Sequence, residues 1–195
     1  MIKTNILTKY THHTIIDNDK NIYVADYTNQ TNHLPIKRSV EIFSPTPPTD
    51  ISYFTILNNS NLMISTIVFD NNSFTHTNGN SKSQCESSSF PNISNRKSWI
   101  LFTELKYSSN PLNNQKNLEK AIKQLFRTRY HYIQSGVFNK KENTSYLLAS
   151  LPEQREPFAN FSLSPTYVLN LKNKHNIILR QKNSIEVIDE SIIII

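Results

Sequence analysis

The segment that most constrains this chain is "KSWILFTELKYSS", residues 97–109. Laid out as a β-strand, it puts Trp99, Leu101, Thr103, Leu105 and Tyr107 on one side and Ile100, Phe102, Glu104 and Lys106 on the other, because successive side chains alternate across a strand. Both sides are apolar over most of the run, which is the pattern of a strand covered on both faces. The fold therefore needs a central strand here, with one layer above it and one below. The same strand leaves the sheet with a carboxylate and an ammonium on one face, Glu104 and Lys106.

Covering both faces takes chain. The 195 residues, 37% hydrophobic and 10% aromatic, suffice for a single domain with a sizeable core. A formal net charge of +6 admits an anionic partner such as DNA or RNA without identifying it, since a modest lysine excess also serves solubility. A protein partner is equally compatible with the composition. One cysteine, Cys85, excludes an internal disulfide framework and a cysteine-rich zinc site. With only 2 glycines the chain can hold neither a G-x-G-x-x-G fingerprint nor a Walker A loop. Asparagine, abundant in "NNSNLMI" and "NPLNNQKN", is expected at the turn positions glycine would otherwise take. The opening "MIKTNILTKYTHH" has no apolar leader core, and no run approaches the roughly 18 apolar residues of a membrane span. A soluble cytoplasmic protein without membrane association is the expectation.

Along the chain no internal repeat and no linker stand out. Up to about residue 60 only the strand "NIYVADY" and the proline-rich turn "SPTPPTD" can be read. Strands are expected at "NLMISTIVF" (61–69), "QCESSSF" (84–90) and 98–106, with a turn near Ser94 and Asn95. Residues 117–135 carry apolar positions Leu118, Ala121, Ile122, Leu125, Phe126, Tyr132 and Ile133 at helical spacing, with Asn117 as N-cap and Gly136 closing the end. "SYLLASLP" reads as a further buried strand, and "NIILR" and "SIEVI", joined by "QKN", read as a C-terminal β-hairpin at about 175–190. The expected class is α/β, a mixed central β-sheet flanked by helices.

The order strand, turn, strand carrying E-x-K, amphipathic helix and strand, over residues 61–151, resembles the core of the PD-(D/E)XK nuclease superfamily, the restriction-endonuclease-like fold. The resemblance rests on "ELK" in its setting; the P-D dipeptide is absent. It implies two acids on neighbouring strands holding Mg²⁺ or Mn²⁺, with Lys106 positioning the attacking water. The chemistry of the residues agrees: hard divalent cations take carboxylate oxygens, and phosphodiester hydrolysis uses the cation's charge.

A metal site needs a second acid. If 84–90 and 98–106 form an antiparallel hairpin, paired positions sum to about 190, which sets Glu86 opposite Glu104 at roughly 5 Å between Cβ atoms. Asp70 is the second candidate, if its strand runs alongside. Glu86 stands where the family usually has aspartate. An upstream third acid would be Glu41, and Gln124 is the polar helix residue the family places near its site. On a helical wheel Gln124 lies roughly 130° from the apolar stripe, so it would reach the site from the helix edge. Lys120, Lys123 and Arg127 share the opposite helix face and could track phosphates.

Blander assignments stand beside these. An E-x-K can be a solvated strand end, and a basic helix face is commonly just solvated. His12 and His13 would point to opposite sides of a strand, and His131 falls on the polar side of the helix, so no histidine pair has ligand spacing. Cys85 fits a small core residue. The alternative to a nuclease is a non-catalytic member of the same fold, or an interaction or immunity-type module in which the ELK end is simply polar.

Overall fold

A computed structural model describes all residues 1–195. In chain order the elements are α1 (Ile2–Lys9), β1 (Ile15–Asn18), β2 (Ile22–Asp26), α2 (Thr28–Thr31), β3 (Val40–Phe43), β4 (Phe54–Leu57), β5 (Ile64–Val68), β6 (Ser87–Pro91) and β7 (Ile100–Leu105). A single turn of tighter helix at Pro111–Asn113 leads into α3 (Asn114–Gln134). Then come β8 (Ser145–Ser150), α4 (Pro165–His175), β9 (Ile177–Gln181), β10 (Ser184–Val187) and β11 (Ile193–Ile194).

The strands make two mixed sheets, not one. The first runs β1-β5-β6-β7-β8-β9 and the second β11-β10-β4-β2-β3. In the first, β1, β5, β6 and β7 are antiparallel neighbours. The pairs β7–β8 and β8–β9 are parallel, with α3 and α4 as the intervening helices. That is the requirement of parallel pairing, which a tight turn cannot meet.

β7 lies inside the first sheet and is buried at all six positions. Its alternation separates two cores. Ile100 and Phe102 join Ile2, Ile6, Leu118, Leu125 and Tyr132 under the helices. Leu101 and Leu105, with Trp99, join Val24, Phe54, Ile56 and Ile185 of the second sheet. The order of layers is therefore helices, first sheet, second sheet, and the both-face apolar pattern of residues 99–105 is the sequence trace of that middle position. Fully burying a side chain such as Phe102 stabilises by about 1.5–3 kcal/mol.

α3 begins three residues before the expected Asn117 cap. Asn110 instead caps the preceding turn, its side chain accepting the Leu112 N–H at 3.0 Å. The helix ends as expected at Gly136, whose φ of 68° favours a residue without a Cβ. Its buried stripe is Leu118, Ala121, Leu125, Thr128, Arg129 and Tyr132, while Ile122, Phe126 and Ile133 are only partly buried.

Two expectations are corrected. The C-terminal hairpin does not form: β9 pairs with β8 in the first sheet, and β10 pairs with β4 and β11 in the second. The crossing is held by Asn183, whose Oδ1 accepts from the Ser150 hydroxyl at 2.7 Å and the Leu151 N–H at 3.1 Å, while its Nδ2 donates to the Gln154 carbonyl at 2.8 Å. His12 and His13 lie in the connection between α1 and β1 rather than in a strand. No helix is long and apolar enough to cross a membrane.

Candidate functional site

Ser87, Ser88 and Ser89 of β6 pair with Thr103, Phe102 and Leu101 of β7. The Glu86 N–H donates to the Thr103 carbonyl at 3.1 Å. Continuing the register by one residue sets Glu86 opposite Glu104, as the turn position predicts. By strand alternation Glu104 falls on the helix-facing side, that of Ile100 and Phe102, and the continued register assigns Glu86 to the same side.

Glu104 is completely buried. Its Oε1 is ion-paired with the Lys106 ammonium, and its Oε2 has no hydrogen-bond partner. A buried carboxylate oxygen without a partner costs free energy unless a proton or a cation supplies one. Burial pushes the Glu104 pKa up to about 7, with Lys106 pulling down and Asp26 pushing up. Glu86, half-buried at the mouth of the hairpin, is also raised well above the ordinary carboxylate range, by burial first and then by the charges of Glu104 and Asp26; Lys106 and Lys120 oppose this. Two carboxylates held in this way behave as a pair short of one positive charge.

Asp26, which ends β2, is the acid the sequence reading passes over. It belongs to the second sheet, and Tyr107 ties it to the site: the Asp26 N–H donates to the Tyr107 hydroxyl at 3.1 Å, which donates to the Ser52 carbonyl at 2.7 Å. Tyr107 follows Lys106 directly, so the segment that carries the ELK also anchors the end of β2 in the other sheet. Asp26 was visible in the sequence as an acid closing an apolar strand, like Glu104. Which acids share an edge is decided by the packing of the two sheets.

The remaining candidates divide. Glu41, the expected third acid, lies on β3 and is held by the Arg38 guanidinium through two bonds of 2.7 Å, so it does not join the pair. Asp70 is exposed and caps its own turn, accepting the Asn72 N–H at 2.9 Å and the Ser73 hydroxyl at 3.0 Å. Its charge acts on His13. Gln124 binds the chain just before the acid pair, its amide donating to the Gln84 carbonyl at 2.8 Å, and its Oε1 is buried without a partner. Lys120, Lys123 and Arg127 are exposed on α3. Cys85 is buried, with its thiol held far above its ordinary range chiefly by burial, so it is inert core.

The donor chemistry fits a hard divalent cation: two opposed carboxylates, one orphaned oxygen, and a third acid whose charge reaches both. No three acids, histidines or cysteines form a ready ligand cluster, so Glu86, Glu104 and Asp26 meet through their charges rather than around a closed cage. Comparisons with protein-family models, with curated proteins and with solved structures find no match for this chain.

Proposed function

We propose that this chain is a metal-dependent nuclease of the restriction-endonuclease-like type, hydrolysing phosphodiester bonds of nucleic acid at the Glu86–Glu104–Lys106 end of β7. The observation that carries this reading is the partnerless Oε2 of a fully buried Glu104, opposed across the hairpin by a second carboxylate. Glu86 and Glu104 are the residues to hold Mg²⁺ or Mn²⁺, which when bound stabilises charge on the phosphate and lowers the pKa of a water. Lys106 has 18% of its side chain open to solvent and a fixed contact with Glu104, so its ammonium is held where it can orient the attacking water or meet the charge growing on phosphate. Asp26 keeps the local potential negative and so favours the cation. Lys120, close enough to act on Glu86, and its exposed neighbours Lys123 and Arg127 would contact the nucleic-acid backbone.

The test is incubation of purified protein with Mg²⁺ or Mn²⁺ and a mixture of DNA and RNA. One of the two is cleaved by wild type, and Lys106→Ala abolishes cleavage while leaving binding nearly intact. Lys106→Arg keeps the charge beside Glu104 and controls for the buried carboxylate the alanine leaves unpaired. Absence of cleavage with both metals contradicts the proposal. The closed Glu104–Lys106 pair favours a second reading in that event, a non-catalytic interaction module in which the lysine only neutralises the acid.

A further inference from the structure

A polar cavity of about 500 Å³ opens between the end of α1, the 72–82 loop and the last turns of α3, well away from Glu104 along the helix. Lys9, Lys82, His12 and His131 line it, and no aspartate or glutamate does. Neither lysine takes part in an ion pair, whereas Lys3, Arg38, Lys106 and Lys182 each face an acid. The His131 ring stacks on Phe74 at 4.9 Å, and its Nε2 is buried without a hydrogen-bond partner. Burial, and then the positive charges of Lys82 and Arg127, hold this imidazole below its usual pKa, against a backbone contact at Ser83 that raises it. Two unpaired ammonium groups thus meet around a hollow that no acid lines.

We propose that this cavity binds the terminal phosphate of a nucleotide unit, either at the end of a nucleic-acid strand or on a free nucleotide. Two unpaired ammonium groups match the charge of a phosphate monoester, about −1.5 to −2 at neutral pH. The hollow is larger than one phosphate, which leaves room for the attached nucleoside. At its rim the ring of Tyr130, 58% exposed, offers a face for a base to stack on. His131 lies eleven residues beyond Lys120 on α3, roughly 16 Å at 1.5 Å per residue. That corresponds to about five nucleotide steps at 3.4 Å each, so a strand end held here would fix the distance to the acid pair. Only this last consequence rests on the nuclease reading; the cavity contains none of Glu86, Glu104 or Lys106.

The experiment uses the full chain in EDTA, so that metal chemistry plays no part. Fluorescence anisotropy compares a labelled hexanucleotide bearing a 5′-phosphate with its 5′-hydroxyl counterpart, and AMP is added as competitor. The 5′-phosphate strand binds more tightly. Lys9→Gln combined with Lys82→Gln weakens its binding by about tenfold or more, as expected for the loss of two charge contacts, and hardly changes the 5′-hydroxyl strand. The charge-matched Lys37→Gln with Lys97→Gln, two exposed lysines elsewhere, leaves the preference intact. Displacement by AMP identifies a free nucleotide as sufficient; failure of AMP to displace identifies the strand end as the ligand. Equal affinity for the two strands, no binding of either, or equal losses in both double variants overturns the proposal.

Discussion

Two buried ionisable groups lie beneath α3, and the protein treats them in opposite ways. His13 has both ring nitrogens partnered, Nε2 at 3.2 Å from the Ser73 carbonyl and Nδ1 at 3.2 Å from the Tyr132 hydroxyl. Its ring stacks on Tyr10 at 4.8 Å and meets Phe69 and Phe74 edge-on. Burial lowers its pKa to about 4, so it stays neutral as an ordinary member of an aromatic core. Glu104 is more deeply buried, yet it keeps one oxygen unpartnered and faces a second carboxylate. A satisfied buried polar group stabilises a fold; an unsatisfied one marks a place where a ligand is expected to complete the structure.

The sharpest way to break this comparison is to remove each group's support. Tyr132→Ala deletes a fully buried ring and the Nδ1 partner of His13, and denaturant unfolding should show a loss of about 3–5 kcal/mol. Glu104→Gln, equally buried, should cost no more than about 1 kcal/mol at pH 7 without metal, because the repulsion it removes from Glu86 offsets the ion pair it loses with Lys106. A large loss in Glu104→Gln would mean that the acid pair is structural after all.

pH should separate the two groups by sign. A carboxylate whose folded pKa is raised binds more protons folded than unfolded between its ordinary value and about 7, so its contribution to stability falls as pH rises through that window. His13, depressed to about 4, binds fewer protons folded, so its contribution is lost as pH falls from 6.5 towards 4. The two oppose each other in wild type. Glu86→Gln combined with Glu104→Gln should leave stability rising with pH, and His13→Asn should leave it falling, each tilt being roughly 1–3 kcal/mol across pH 4.5–7. Melting curves over that range measure it, and tilts of the same sign would contradict the assignment.

Smaller effects refine the picture. Asp26→Asn should lower the pKa of Glu104 by less than about one pH unit, read by carbon NMR of the carboxyl carbon. Gly136→Ala should cost about 1 kcal/mol, because φ is positive there. Nothing lies within 4 Å of the added Cβ, so neither cluster should change.

The middle layer was the legible part of the fold. Strands β5 to β8 and helix α3 carry strong local periodicity, and the Ser94–Asn95 turn alone fixed the register that opposes Glu86 and Glu104. The outer layers were harder. α1 buries only Ile2 and Ile6, and α4 only Leu171, so neither shows a broad apolar stripe. α4 did carry its end signals, Pro165 at the start and the left-handed Asn176 at the end. The segment "IILRQKNSIEVI" looks the same locally whether it folds back as a hairpin or crosses between sheets; the contacts of Asn183 across the chain decide. For the same reason the sequence does not separate Glu41, which binds Arg38, from Asp26, whose charge reaches Glu86 and Glu104.

The most direct measurement is the melting temperature of wild type and Glu104→Gln in EDTA and in increasing Mn²⁺ or Mg²⁺. A cation that binds only the folded state raises the melting temperature by mass action. The wild-type rise should grow between pH 6 and 8, as the cation displaces the proton held by the acid pair, and Glu104→Gln should lose most of it. Equal rises in both proteins would show that these carboxylates do not hold the metal.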